Sequence, residues 1–161
     1  MSTAAVHLLI LIIAANSVPV LLSYWCADKY ACAIDGGHRF IDGKPLFGHS
    51  KTWRGLIGAL TSGIIIAPLL GHSMVLGATA ASAAMLGDLC SSFTKRRVNL
   101  TPSAQAPLLD QIPEALLPAL VLQSTLLLSW IDVLLITAGF VLVDMIFSIL
   151  FYRLGIRKTP H

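Results

Sequence analysis

Apolar residues in this chain come in long blocks rather than in alternation with polar ones. Four blocks contain no Asp, Glu, Lys or Arg: Ala4 to Tyr24, Leu56 to Gly71, Ser73 to Leu86 and Ala115 to Trp130. A fifth, Val133 to Tyr152, is broken only by Asp144. Continuous apolar runs of this length predict helices, and about 20 apolar residues are needed to cross a bilayer. The two middle runs are shorter than that, so their spans would borrow flanks, Trp53 to Leu56 on one side and His72 or Gly87 to Leu89 on the other. The pattern predicts an all-α polytopic membrane protein, one unit over residues 1–161, with five transmembrane helices and a polar cavity facing the cytoplasm. Composition agrees, because 56% hydrophobic and 12% charged residues do not make a soluble domain.

Charge then orients the spans. Lys29, Arg39, Lys44, Lys51 and Arg54 lie between the first and second runs, Lys95, Arg96 and Arg97 between the third and fourth, and Arg153, Arg157 and Lys158 after the fifth. These are all eleven basic residues, and with five crossings they share one side, which the positive-inside rule makes the cytoplasm. The N-terminus would be outside and the C-terminus cytoplasmic, in the cell membrane. The far face keeps only the N-terminus and tight turns at Gly71-His72 and Ser129 to Asp132. Ala15-Asn16-Ser17 looks like a small-residue cleavage site, but no basic segment precedes it and the apolar run continues to Tyr24, so the segment reads as a retained span. Cys26, Cys32 and Cys90 are odd in number and near the cytoplasmic side, which argues against a disulfide. They read as small buried apolar residues.

Ionisable groups inside a membrane are costly and mark candidate sites. Asp88 opens "GDLCSSFTKRR", where Asp88, Ser91 or Ser92, and Lys95 recur at i, i+3 or i+4, and i+7. One helical stripe thus carries a carboxylate, a hydroxyl and an ammonium. Lys95 and Arg96 read as site residues, whereas Arg97 reads as an anchor snorkelling to lipid headgroups. Asp144 reads either as a second site group or as half of a polar pair holding two helices together. In "PLLDQIPEALLP", Asp110 and Glu114 stand four apart where Pro113 places a first helical turn. Two carboxylates there, facing a Lys-Arg cluster, suit an oxygen-liganded cation such as Mg²⁺, although an acid at a helix start is also ordinary dipole complementarity.

The stretch "DGKPLFGHSKTWRGL" raises the question of a P-loop. Gly43 and Gly48 have the P-loop separation, but His49 and Ser50 follow, so Lys51-Thr52 comes two residues late. The preceding "WCADKYACAIDGGHRFI" also lacks the alternation of a core strand, so the P-loop reading fails. The chain offers cationic donors, carboxylates and glycines on one side, without a Ser-His or Cys-His pair in a recognisable setting. Such a site fits phosphoryl or nucleotidyl transfer, in which the phosphate brings its own nucleophilic oxygen.

The ordered set "AANSVPVL", "GKPLFGHSKTWRG", "GDLCSSFTKRR", "PLLDQ" and "FYRLGIRKTP" resembles the CDP-archaeol synthase family, five-span relatives of the CDP-diacylglycerol synthases, along nearly the whole chain. The resemblance implies CTP and a lipid phosphate, ether or ester, as substrates, a CDP-activated lipid and pyrophosphate as products, Mg²⁺ as the cofactor, and no nucleic-acid partner. It places Lys51, Thr52, Arg54 and Gly55 at the nucleotide, joins Asp88, Ser92, Lys95 and Arg96 in a second element, and makes Asp110 the first acid of a metal signature. Asp88, Lys95, Arg96 and Asp110 would be the catalytic set, with Asp88, Asp110 and Glu114 at the metal. The family usually carries a second Asp three residues after the first; here that position is Pro113, and Glu114 stands next to it. A CTP-dependent polyprenol or phytol kinase, and a non-catalytic protein binding lipid or nucleotide, are the alternatives.

Overall fold

A computed structural model describes residues 1–27, 29–100 and 108–155. Pro107 of "PLLDQ", and Arg157 and Lys158 of the basic C-terminal segment, lie outside them. Five helices follow in order: α1 (Thr3–Cys26), α2 (Trp53–Leu69), α3 (Met74–Arg97), α4 (Gln111–Val121) and α5 (Trp130–Arg153). At about 1.5 Å per residue, the 24-residue helices α1, α3 and α5 are about 36 Å long, enough to cross a bilayer whose hydrocarbon core is about 30 Å. All three are apolar enough to do so. On α5, Leu134, Leu142 and Ile146 are exposed while Ile136 and Phe140 are buried, which is how an all-apolar helix at the edge of a bundle meets lipid.

The fourth span corrects the sequence reading. Hydropathy predicts Ala115 to Trp130, but α4 begins four residues earlier and stops at Val121. Eleven residues make about 16 Å, half the hydrocarbon thickness. Beyond it the chain makes a series of turns over 122–127, and the Leu126 and Leu128 amides donate to the carbonyls of Leu122 and Gln123. Pro118 removes one bond from the ladder within the helix, and just beyond its end Gln123-Ser124-Thr125 offers polar groups that favour turns. Leucines 126 to 128 keep the hydropathy high through a segment whose backbone is not helical.

α1 touches all four other helices. Leu8, Leu11 and Ile12 of α1 pack with Ile136 and Phe140 of α5 in one core cluster. Closer approach elsewhere relies on small residues. Gly63 of α2 and Gly77 of α3 stand backbone to backbone, and a Cβ on either would overlap the other's carbonyl. The far end is tied by Ser2, whose amide donates to Asp132 Oδ1 (2.9 Å), and by His7 Nδ1 against His72 Nε2 (3.1 Å). The opposite end carries the long α1–α2 loop and every basic residue among those described.

Candidate functional site

The site is built where α2 begins, α3 ends and α4 begins. Thr52 is the N-cap of α2, its hydroxyl accepting from the Gly55 amide (3.2 Å), and the residue before it, Lys51, reaches across to α3. Its Nζ donates to Asp88 Oδ1 at 2.5 Å, with the two side chains 23% and 18% exposed. Burial alone would push the Lys51 pKa down. The Asp88 carboxylate, supported by Glu114 and Asp110, outweighs that and holds it above its ordinary value. Lys51 is therefore a fixed positive charge.

One turn and more along α3, Ser91, Ser92, Lys95 and Arg96 are all buried. Lys95 Nζ lies 2.8 Å from both oxygens of Asp110, the N-cap residue of α4. Arg96 bonds the Leu100 carbonyl and faces Asp110, with its Nε buried and unpartnered. Asp110 Oδ1 is buried against the Lys95 ammonium.

Gly87 explains how α4 comes so close. A Cβ there would run into the carbonyl of Pro113 and the amide of Glu114, so the first turn of α4 lies directly on α3 one residue before Asp88. Glu114 is buried beside Asp88, with Lys51 and Asp144 near it. Position 113 is a proline, and the acid next to it, Glu114, is the one that lies beside Asp88. Asp144 accepts from Gln111 Nε2 (3.0 Å), tying α5 to α4; this is the pairing role read from sequence.

The loop that carries Lys51 has an organiser that sequence reasoning missed. Asp35 is buried, and its carboxylate accepts from the amides of Gly37 (3.0 Å), Phe47 (3.1 Å) and Gly48 (2.8 Å). Burial opposes its charge, but the amides of Gly48, Gly37 and Phe47 prevail and hold the carboxyl below its ordinary value of 3.8. Gly36, Gly37, Gly43 and Gly48 all have positive φ, so the "FGHSK" turn is a glycine-permitted wrap around one carboxylate. An Asp-Gly-Gly sequence is a turn signal that could have pointed to it. Among the described residues no strand precedes Lys51-Thr52; isolated antiparallel bridges join Ala33 to Thr52 and Arg39 to Pro45, in keeping with rejection of the P-loop.

Several expected placements change. Arg54 does not join the cluster: Nη1 donates to the carbonyls of Ala27 (2.9 Å) and Lys29 (2.5 Å), and Nη2 to Ser23 Oγ (3.0 Å), so it caps the end of α1. Gly55 sits against Pro19 of α1, where its lack of a side chain serves packing. Arg97 is not a headgroup anchor, because its guanidinium turns onto the loop, where Nη2 donates to the Pro45 carbonyl (2.6 Å). Cys32 and Cys90 are exposed rather than buried, since the turn after α1 and the outer face of α3 leave them uncovered.

The assembled set brings together Lys51, Asp88, Ser92, Lys95, Arg96, Asp110 and Glu114, and leaves Thr52, Arg54 and Gly55 as parts of its frame. Among the described residues, no three of Asp, Glu, His or Cys converge as a ready metal cage. Asp88 with Glu114, and Asp110 at the start of α4, fit a cation that takes one or two protein carboxylates and completes its shell with phosphate oxygens and water, the habit of Mg²⁺.

The CDP-archaeol synthase family model matches residues 3–74 and 69–161. CDP-archaeol synthase of Hyperthermus butylicus is 43% identical over 106 residues, 62% of this chain and 60% of that protein. That of Sulfolobus acidocaldarius is 30% identical over 151 residues, 89% of this chain and 93% of that protein. The chain spans 60% of the length of the Hyperthermus butylicus and Staphylothermus marinus relatives it matches. A solved structure described as an intramembrane enzyme for archaeal membrane lipids biosynthesis aligns with a TM-score of 0.72 and 26% identity, covering 90% of this chain and 92% of that one. With one family matched across both the loop that supplies Lys51 and the helices that supply its carboxylates, the chain belongs to the CDP-archaeol synthase family.

Proposed function

We propose that this protein transfers the cytidylyl group of CTP to an archaeal-type ether lipid phosphate in the cell membrane, releasing pyrophosphate. The observation that carries the reading is the cluster itself: two lysines and an arginine interleaved with three carboxylates at the basic end of an apolar bundle. With that end facing the cytoplasm, CTP enters from water and the lipid tails stay in the bilayer.

In this reaction a lipid phosphate oxygen attacks the α-phosphorus of CTP in line; the new P–O bond forms as the bond between the α-phosphorus and the bridging oxygen breaks, and pyrophosphate leaves with that oxygen. A phosphate monoester is largely ionised at neutral pH, so no side chain need take its proton. In the absence of substrate, Lys51 and Lys95 are neutralised by Asp88 and Asp110. An incoming polyphosphate competes for those ammonium groups, and Lys51, Lys95 and Arg96 are then aimed at phosphate oxygens, screening the charge that accumulates on the leaving group. Asp88, Asp110 and Glu114 would hold Mg²⁺, which supplies charge neutralisation across the phosphates.

The test uses purified protein, labelled CTP, Mg²⁺ and a panel of ether and ester lipid phosphates. Mg²⁺-dependent formation of a CDP-lipid supports the assignment, and preference within the panel identifies the lipid. In the same assay Glu114→Gln is expected to raise the Mg²⁺ concentration for half-maximal activity, because it removes an anionic oxygen from a hard-cation site. An unchanged Mg²⁺ dependence would reduce Glu114 to a packing residue beside Asp88.

A further inference from the structure

The loop between α1 and α2 is secured at both roots. Arg54 ties its start to the end of α1, and the Ile34 amide donates to the Lys51 carbonyl (2.8 Å) at its end. Its far point is a small hairpin over 39–45, closed by the bridge between Arg39 and Pro45 and by the Phe40 amide on the Lys44 carbonyl (2.8 Å). A two-stranded hairpin of this size is marginal on its own, so its place depends on what it docks against.

It docks on the end of α3, and Arg97 is at the centre of the contact. Nη2 donates to the Pro45 carbonyl (2.6 Å), Nη1 lies 3.1 Å from Asp42 Oδ1, and the guanidinium carbon stands 4.5 Å from the ring centre of Phe93 and 5.0 Å from that of Phe40. Those two rings meet edge to face with centroids 5.3 Å apart, one from α3 and one from the hairpin. Lys44 adds a bond from its Nζ to the Arg97 carbonyl (2.9 Å), at the helix end where the dipole favours a cation. The planar guanidinium uses its edge for the carbonyl and carboxylate and its face for the rings, a combination that lysine cannot fully reproduce.

We infer that Arg97 is a positioning residue: it latches the 39–45 hairpin to α3 and thereby keeps the loop bearing Lys51 registered with Lys95 and Arg96 for binding of the nucleotide polyphosphate. The path from latch to site is short. Pro45 is followed by Phe47 and Gly48, whose amides are fixed on Asp35, and then by Lys51. The inference rests on the CTP reading for the identity of the ligand and on geometry alone for the latch. Released, the loop samples undocked positions, and apparent affinity falls in proportion to the docked fraction while the bound complex keeps its chemistry.

Two measurements on the full-length protein separate these parts. The first is amide hydrogen exchange over 39–48 without nucleotide. Arg97→Ala and, independently, Phe40→Ala are expected to speed it by about tenfold or more, with α1 and α5 unchanged and with Arg97→Lys giving a smaller increase. The second is CTP kinetics: Arg97→Ala is expected to raise KM for CTP by about tenfold with kcat within about twofold, partly restored in Arg97→Lys, while Arg153→Ala at the exposed end of α5 matches the parent. Exchange that stays slow in both alanine variants overturns the latch. A fall in kcat at unchanged KM overturns the positioning role, since it would mean contact with the reacting groups. If the parent protein turns over no CTP, the nucleotide reading fails by itself, and the exchange measurement still decides the latch.

Discussion

Replacing Gly87 with alanine is expected to reduce CTP turnover by about 100-fold or more while the bundle still assembles. The new Cβ meets backbone, the Pro113 carbonyl and the Glu114 amide, which cannot rotate aside as a side chain could. Relief requires the first turn of α4 to move outward, at about 1 to 3 kcal/mol for overpacking of this kind. The chemistry suffers more than the fold, because that turn carries Glu114 to Asp88 and Asp110 to Lys95, and displacements of about 1 Å cost about 100-fold in a positioned reaction. Gly139→Ala is the matched control, since its Cβ would meet only Leu9 at an ordinary 3.4 Å. Thermal unfolding in detergent and CTP turnover, measured together, check this. Parent-like turnover in Gly87→Ala would mean that α4 does not set the site.

The second large effect is at Lys95. The Lys95 side chain is 8% exposed and its ammonium lies 2.8 Å from Asp110, so Lys95→Ala removes a cation and the ion-pair partner of a partly buried carboxylate. Loss of a preorganised charged donor costs about 3 to 4 kcal/mol in the transition state, and kcat is expected to fall by about 100- to 1000-fold. A kcat in Lys95→Ala within about threefold of the parent would mean that Lys95 only neutralises Asp110 and does not handle phosphate.

Much of this arrangement was legible in the chain because membrane composition narrows the choices. Long apolar blocks located the helices, and the one-sided basic residues located the polar end. The seven-residue spacing of Asp88 and Lys95 put both on one stripe of α3, and Glu114 was identified as the neighbour of the missing acid. What could not be read depends on distant partners. Lys51 and Asp88 are 37 residues apart, and nothing local distinguishes this pair from other lysines and acids. Arg97 has the sequence appearance of a headgroup anchor because a charge at a helix end looks the same whether it meets lipid or a returning loop. Arg54 lies in the same short motif as Lys51, yet motif membership does not say where a guanidinium points. The short α4 was hidden because hydropathy measures composition and leucines 126 to 128 are apolar in turns as in helices.

The central claim, cytidylyl transfer at the Lys51, Asp88, Glu114, Lys95 and Asp110 cluster, is tested most directly by following both halves of CTP in one reaction. With CTP labelled in the cytidine and separately in the γ-phosphate, and with Mg²⁺ and an ether lipid phosphate, one CDP-lipid is expected for each pyrophosphate released, the γ-label remaining in pyrophosphate. Transfer of the γ-label to the lipid with release of CDP would contradict the claim and make the protein a lipid kinase.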